Sequence, residues 1–162
     1  MSCRERLEQF FRERGVKFQV VTHPEVYTAQ EVAAVEHVSG YDVAKVVIAS
    51  VDETLAMIVL PAPHRVDLDK VKRALGGAQA RLAREEEFSA VFADCEVGAM
   101  PPFGSLYGLP VYVDRALTDD PRIVFRAGTH RETMTVAYAD LERLEQPKVG
   151  DYATGPAAPS QN

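Results

Sequence analysis

Cysteine is scarce in this sequence, and long apolar runs are missing. The two cysteines, Cys3 and Cys95, lie far apart in the chain, and neither has a C-x-x-C partner. This spacing indicates neither a disulfide framework nor a thiolate zinc site. No stretch approaches the roughly 20 apolar residues that cross a bilayer, and residues 1–6 lack the apolar core of a signal peptide. A membrane or secretory role is therefore disfavoured, and the cytoplasm is the expected compartment.

The motifs of the common hydrolases and nucleotide-binding proteins are also missing. The sequence contains no G-x-S-x-G elbow, no Walker loop and no dinucleotide fingerprint. His23, His37 and His64 show no metal spacing such as H-E-x-x-H. The sequence identifies no general base that could activate Cys95 as a nucleophile. A cysteine of this kind is more often a buried structural thiol. We therefore expect no metal and no cofactor.

The composition is that of one soluble globular domain. The chain has 162 residues, of which 46% are apolar and 26% charged, and its net charge is −6. A negative total argues against a protein that coats nucleic acid indiscriminately. Residues 64–84 nevertheless hold six cations and two carboxylates. Charge alone leaves open whether this segment contacts a phosphate backbone or is a solvated helix.

The pattern of apolar residues predicts interleaved helices and strands. Leu7, Phe10 and Phe11 have helical spacing before Gly15, and Thr28 starts a capping box. Further helices are predicted at 67–75, 85–91 and 140–144, and strands at 16–21, 42–51, 54–60, 109–113, 122–127 and 133–136. The expected fold class is mixed α/β, with either a mixed sheet or a partly closed barrel and with helices outside. We expect one domain over residues 1–146 and a flexible tail over 147–162.

Three positions stand out as candidates for chemistry. Lys45 interrupts an apolar strand, so its amine either reaches solvent at a sheet edge or points into a polar cleft as a fixed charge. The segment 95–104 is rich in proline and glycine, and is either a plain connection or a stiff loop that brings backbone close to a ligand. His130 follows Gly128 and Thr129 in a turn, and is either a turn residue or a group that orients substrate or water.

Taken together and in this order, these stretches resemble one family. The lysine in the strand, the loop from Gly98 to Pro102 and the Gly128-Thr129-His130 turn are similar to the motifs of the YbaK-like aminoacyl-tRNA deacylase family. This family includes the editing insertion domain of bacterial prolyl-tRNA synthetase and its free-standing relatives. The resemblance covers about residues 5–145. It implies a mixed α/β fold with a barrel-like central mixed sheet surrounded by helices.

The resemblance also implies the site and the activity. Lys45 matches the lysine that holds the terminal adenosine of tRNA, Gly98 to Pro102 match the loop that contacts the aminoacyl group and the attacking water, and His130 matches a histidine of the same pocket. The implied catalytic residues are Lys45, Gly98 and His130. Implied substrate-binding residues are Ala99, Met100, Pro101, Pro102, Phe103, Gly104, Gly128 and Thr129. Several members carry Thr or Asn after the lysine, whereas this chain has Val46.

The expected function is trans-editing hydrolysis of mischarged aminoacyl-tRNA. Met100, Pro101 and Phe103 suggest a small apolar pocket, and therefore a small amino acid such as alanine or cysteine on tRNA for proline. The expected partner is the tRNA acceptor end, with a synthetase partner left open and neither membrane nor DNA involved. Two alternatives remain: a non-catalytic module that binds aminoacyl-tRNA or a synthetase, and a hydrolase of small activated esters.

Overall fold

The computed structural model describes residues 1–155 and shows a mixed α/β fold. Its helices are α1 (Cys3–Glu13), α2 (Ala29–Val35), α3 (Leu68–Leu75), α4 (Glu85–Phe88) and α5 (Tyr138–Glu145). Its strands are β1 (Gln19–Thr22), β2 (Ala44–Val51), β3 (Thr54–Pro61), β4 (Arg65–Val66), β5 (Ala80–Leu82), β6 (Val111–Asp114), β7 (Arg122–Arg126), β8 (Glu132–Ala137), β9 (Lys148–Gly150) and β10 (Ala153–Thr154). Among the described helices, none is long and apolar enough to cross a membrane.

Helix starts and stops follow local side-chain chemistry. Thr28 and Glu31 form the predicted capping box at the start of α2, with each side chain accepting from the other residue's backbone N–H. The Asp67 carboxylate accepts from two amides at the start of α3, and Gly76, with φ of 69°, ends that helix. The predicted helices α1 and α3 and the predicted start of α2 at Thr28 are confirmed.

The main sheet is mixed and open. Its strand order is β5-β2-β3-β6-β9, in which β2 pairs antiparallel with β3 and β5, whereas β6 pairs parallel with β3 and β9. Antiparallel strands β1, β8 and β7 form a second sheet, which a bridge between Val43 and Val124 links to the start of β2. The expected mixed α/β class is confirmed. The barrel-like closure is wrong, because the five-stranded sheet ends at β5 on one side and β9 on the other.

The main core lies between α1, the open sheet and the second sheet. The rings of Phe11 and Phe103 pack edge to face with centroids 5.0 Å apart, and Phe125 packs against both. A smaller core on the other face of the open sheet contains Val71 of α3 and the fully buried Tyr152. The two faces of β2 are therefore both covered, which explains its nearly continuous apolar sequence.

Two predicted boundaries are wrong. The first strand is β1 at Gln19–Thr22 rather than 16–21, because Val16 is buried in the turn after α1 instead of pairing in the sheet. The flexible tail does not begin at residue 147, because β9 pairs with β6 and β10 pairs with β4. The rest of the predicted tail, residues 156–162, lies outside the described residues.

Candidate active site

A cavity of about 620 Å³ opens where β2 begins. Four segments line it: the start of α2 at residues 28–30, the start of β2 at 43–46, residues 62–65 after β3, and the loop residues Gly98 and Met100. Arg126, at the end of β7, completes the lining. The volume is in the range typical of small-molecule and cofactor sites. Two of the three stretches that sequence analysis singled out therefore meet at one cavity.

Lys45 is the cation of β2 that faces this cavity. It pairs with Leu60 in the sheet and is half-buried. Its amine makes no hydrogen bond or ion pair with any residue between 1 and 155. Burial lowers the pKa of Lys45, and the nearby charge of Arg65 lowers it further. An ammonium held in this state is a ready partner for an anionic or carbonyl oxygen of a ligand.

The loop that carries Gly98 is fixed by backbone hydrogen bonds to the 126–130 segment. The Glu96 amide donates to the Gly128 carbonyl at 2.7 Å, and the Gly128 amide donates to the Ala99 carbonyl at 3.0 Å. Gly128 has φ of 95°, and a Cβ there would lie 2.3 Å from the Cβ of Cys3. Glycine is therefore required at this position, because both the backbone angle and the space exclude a side chain.

Arg126 is the functional candidate that sequence analysis missed. Its Nη1 donates to the Gly98 carbonyl at 2.6 Å, whereas its Nε and Nη2 are buried without a partner among the described residues. Burial lowers the pKa of Arg126, and Glu31 partly offsets this effect. Unpaired donors of a buried guanidinium are costly, so they mark a place where a ligand can accept hydrogen bonds. The sequence gives little signal for this residue, because a polar residue at the end of a strand is common.

His130 lies behind the Gly98 loop and is not part of the cavity lining. Its Nε2 lies 2.9 Å from the Val97 carbonyl oxygen, which only accepts, so Nε2 carries the proton of this hydrogen bond. Its backbone amide donates to the Glu96 carboxylate at 2.8 Å. Its Nδ1 is buried without a partner among the described residues. This arrangement differs from the expected pocket histidine, because the ring supports the loop from behind.

Of the remaining expected site residues, one lines the cavity and the others lie outside its lining. Met100 lines the cavity, as Gly98 does. Phe103 is fully buried in the main core, and the Thr129 hydroxyl donates to Glu132. None of the following lines the cavity: Ala99, Pro101, Pro102, Phe103, Gly104, Gly128 and Thr129. Pro101 and Phe103, which were expected to shape the pocket, are buried and lie outside the lining of this cavity.

Two backbone amides of the loop have no hydrogen-bond partner among the described residues. The Ala99 amide donates to the Glu96 carbonyl, but the amides of Gly98 and Met100 donate to no residue in the described part of the chain. Two such N–H groups on a fixed loop are suited to stabilise an oxyanion. Over residues 1–155, the one cluster of three side chains suited to hold a metal is Cys3, Asp94 and Cys95, which lies outside the cavity.

The chain is thus an α/β protein with an open mixed sheet and a cavity that is lined by cations. The family model of the aminoacyl-tRNA editing domain matches residues 23–144. The chain belongs to this family, and the family expected from the sequence is confirmed.

Curated relatives and solved structures agree with this assignment. The chain is 28% identical over 105 residues to a proline–tRNA ligase of Bacillus cereus (strain G9842), and 28% identical over 101 residues to proline–tRNA ligase 1 of Bacillus thuringiensis subsp. konkukian (strain 97-27). These matches cover 65% and 62% of this chain but 18% of each ligase. The chain therefore corresponds to a small part of those enzymes.

Among solved structures, the chain is similar to a candidate trans-editing enzyme for prolyl tRNA synthetase. The TM-score is 0.83 at 25% identity, covering 96% of this chain and 99% of that one. A hypothetical protein of solved structure shares the fold, with a TM-score of 0.83 at 22% identity, over 91% of this chain and 99% of that one.

Proposed function

We propose that the protein hydrolyses the ester bond of mischarged aminoacyl-tRNA and acts in trans on tRNA that carries a small amino acid. Alanine or cysteine on tRNA for proline is the substrate we favour. One observation carries the proposal: Lys45 and Arg126, which make no ion pair within residues 1–155, line the same cavity as Gly98 and Met100, two residues whose amides have no partner there. Family membership and similarity to a candidate trans-editing enzyme support it.

The charges of the cavity suit the end of a tRNA acceptor strand. Lys45, His64, Arg65 and Arg126 line it, and none of the lining residues is Asp or Glu. We assign the Lys45 ammonium to the terminal adenosine, where it would bind a ribose or phosphate oxygen. Arg65 is exposed at the rim and makes no ion pair within residues 1–155, so it is free to approach a phosphate of the preceding nucleotide.

The chemistry needs little beyond positioning. Water adds to the ester carbonyl, the C–O bond to the ribose breaks, and the products are the free amino acid and a tRNA with its hydroxyl restored. The amides of Gly98 and Met100 are assigned to the oxyanion, where one such donor contributes about 3 kcal/mol in other hydrolases. The vicinal ribose hydroxyl can transfer the proton, so the chain needs no serine, histidine and aspartate set.

His130 has a positioning role in this proposal. Its Nδ1 is buried, and its Nε2 donates to the Val97 carbonyl, so the ring cannot reach the ester. It fixes the residue before Gly98 instead. Arg126 holds the same loop from the other side through the Gly98 carbonyl. Together the two side chains keep the amides of the loop in place for the reaction.

Selection of a small amino acid is assigned to Met100 and Val46. Both line the cavity with apolar side chains. A synthetic site built for a larger side chain rejects a smaller one by only about 1 to 3 kcal/mol per methylene, so a second pocket that admits small residues improves fidelity. An apolar wall of this kind admits alanine or cysteine and offers no side-chain hydrogen bond to a hydroxyl.

The proposal is tested by direct deacylation assays. Purified protein is incubated with alanyl-, cysteinyl- and prolyl-tRNA for proline, and the remaining ester is followed over time against the uncatalysed rate. We expect hydrolysis of the first two, sparing of prolyl-tRNA, and a loss of at least tenfold in Lys45→Ala. Lys17→Ala, which removes an exposed lysine away from the cavity, is the matched control. The absence of turnover on every substrate would refute the proposal.

A non-catalytic module is the second candidate, and Val46 favours it. An apolar residue beside Lys45 leaves one fewer hydrogen-bonding group for a substrate than Thr or Asn would supply. This candidate predicts that aminoacyl-tRNA binds tightly and its ester survives a long incubation. A filter-binding assay run alongside the deacylation assay separates the two candidates.

A further inference from the structure

A pair of thiols lies behind the cavity loop, outside the proposed active site. The Sγ atoms of Cys3 and Cys95 are 3.6 Å apart, although 92 positions separate the two residues in the chain. The Tyr107 hydroxyl lies 3.6 Å from the first sulfur and 3.4 Å from the second, and it donates to the Asp94 carboxylate at 3.0 Å. Cys3 is buried, and Cys95 is half-buried.

The packing around this pair brings α1 and the loop into close contact. Cys3 is the first residue of α1, and its Sγ lies within 2.7 Å of where a Gly128 Cβ would stand. Cys95 comes three residues before Gly98, in the loop that is hydrogen-bonded to Gly128. A disulfide has a sulfur separation of about 2.0 Å, so the two sulfurs need to approach by only about 1.5 Å to form one.

The hydrogen bonds around the sulfurs favour a thiolate at Cys3. The hydrogen bond from Cys95 lowers the pKa of Cys3, and the Tyr107 hydroxyl and Arg6 lower it further, against the opposing effects of burial and Asp94. The same contact and burial raise the pKa of Cys95. A dithiol that shares a proton in this way holds one sulfur ready to act as a nucleophile.

We propose that Cys3 and Cys95 are a redox modification site, which a peroxide converts into a reversible intramolecular disulfide. In the first step a thiolate sulfur attacks a peroxide oxygen, the O–O bond breaks, and the sulfenic acid forms while the leaving hydroxide takes up the proton that the thiol released and becomes water. In the second step the other sulfur attacks the sulfenic sulfur, the S–O bond breaks, and a second water leaves. Two thiols and one hydrogen peroxide thus give one disulfide and two waters.

Zinc binding by the same side chains is the competing use of this cluster. Cys3, Asp94 and Cys95 supply three potential ligands. However, the Arg6 guanidinium lies 3.4 Å from the Asp94 carboxylate and 4.8 Å from the centre of the Tyr107 ring. A fixed positive charge on the carboxylate disfavours a second cation there, so the geometry favours oxidation.

The test measures thiol chemistry alone, so its outcome is independent of deacylase activity. The reduced full chain is treated with hydrogen peroxide, remaining thiols are alkylated, and the protein is analysed by intact mass and by peptide mapping without reductant. Because the chain has two cysteines, we expect loss of both thiols, a mass lower by about 2 Da, and one cross-linked peptide pair. Dithiothreitol should restore both thiols. Cys3→Ser and Cys95→Ser should each give a sulfenic acid that dimedone traps, without a cross-link.

Three results would overturn the proposal. The first is oxidation of the wild-type chain to sulfinic acid with both thiols unlinked. The second is a disulfide between two chains in place of the internal one. The third is zinc at one equivalent per chain in the purified protein, lost in either cysteine variant. All three are read on the wild-type protein first, so a variant that fails to fold does not affect the result.

Discussion

Arg126 binds the Gly98 carbonyl oxygen at 2.6 Å, and this contact connects the end of β7 with the cavity loop. The guanidinium reaches the loop from the cavity side, whereas His130 contacts Val97 from behind. Gly98 is therefore held on both sides, although its own φ of 85° is one that other residues rarely adopt.

Replacing Arg126 with methionine tests this contact. We expect kcat/KM for alanyl-tRNA to fall about 100-fold, because losing one positioned donor costs about 3 kcal/mol in transition-state stabilisation. The free energy of unfolding should fall by no more than about 1 kcal/mol, since the native guanidinium already has two buried unpaired nitrogens. Arg122→Met, an exposed change in the same strand, is the control. Equal activities of the two variants would contradict the role of Arg126.

Activity is expected to decrease at alkaline pH because of Lys45. Burial lowers the pKa of this amine, so its charge is lost at a lower pH than in an exposed lysine, and substrate binding weakens as pH rises through that value. The stability of the folded protein should instead increase as pH rises. Because the charged form is disfavoured in the folded state, the free energy of unfolding should rise between the lowered pKa and the usual 10.5.

The measurement for Lys45 is KM between pH 7 and pH 10, corrected for uncatalysed ester hydrolysis. Lys45→Arg keeps its charge over this range and should give a flatter profile. A wild-type KM that does not change with pH would argue against a charged amine at the binding site.

Substituting alanine for Gly98, and comparing it with the same change at Gly108, separates the effect of backbone strain on stability from a specific effect on deacylation. The substitution has space, since the nearest atom to a new Cβ is His130 Cε1 at 3.6 Å, but the φ of 85° is unfavourable. We expect a loss of about 1 kcal/mol in stability and a clear loss of deacylation. Gly108→Ala has φ of 71° and open space, so it should show the same stability loss by chemical denaturation and retain activity.

The salt dependence of the reaction should report a phosphate contact at Arg65. The slope of log(kcat/KM) against log[salt] should become shallower by about 1 or less in Arg65→Gln, since one phosphate contact is lost. Arg84→Gln is the comparison, because Arg84 already pairs with Glu86 and Glu87 and should leave the slope unchanged. Equal slopes for the wild-type protein and both variants would show that the tRNA does not contact Arg65.

The sequence predicted those parts of the fold that depend on neighbours in the chain. The Thr28 capping box, the helix over 67–75 and the adjacent strands over 42–51 and 54–60 depend on local patterns, and all are confirmed. Strand β5 was missed because its three residues, Ala80–Leu82, have too short a pattern to detect. The open edges of the sheet depend on pairings between distant strands, which no local pattern reveals.

The site was predictable to the extent that a residue type was unusual where it stood. Lys45 in an apolar strand and Gly98 in a stiff loop were singled out, and both line the cavity. Arg126 ends its strand as many polar residues do, so only its buried, unpaired nitrogens reveal it. The contact between Cys3 and Cys95 bridges 92 positions, and the sequence gives no sign of such proximity.

Tyr152 determines how short the protein can be made. Its amide donates to the buried Asp114 carboxylate at 2.9 Å, and its hydroxyl donates to the Lys148 carbonyl. A version ending at residue 146, the boundary suggested by sequence alone, would remove this anchor and leave the buried Asp114 carboxylate, at the end of β6, with the Ala116 amide as its remaining donor among the described residues. Laboratories preparing trimmed protein for crystallisation or labelling should therefore retain at least residue 155, and should attach tags beyond it.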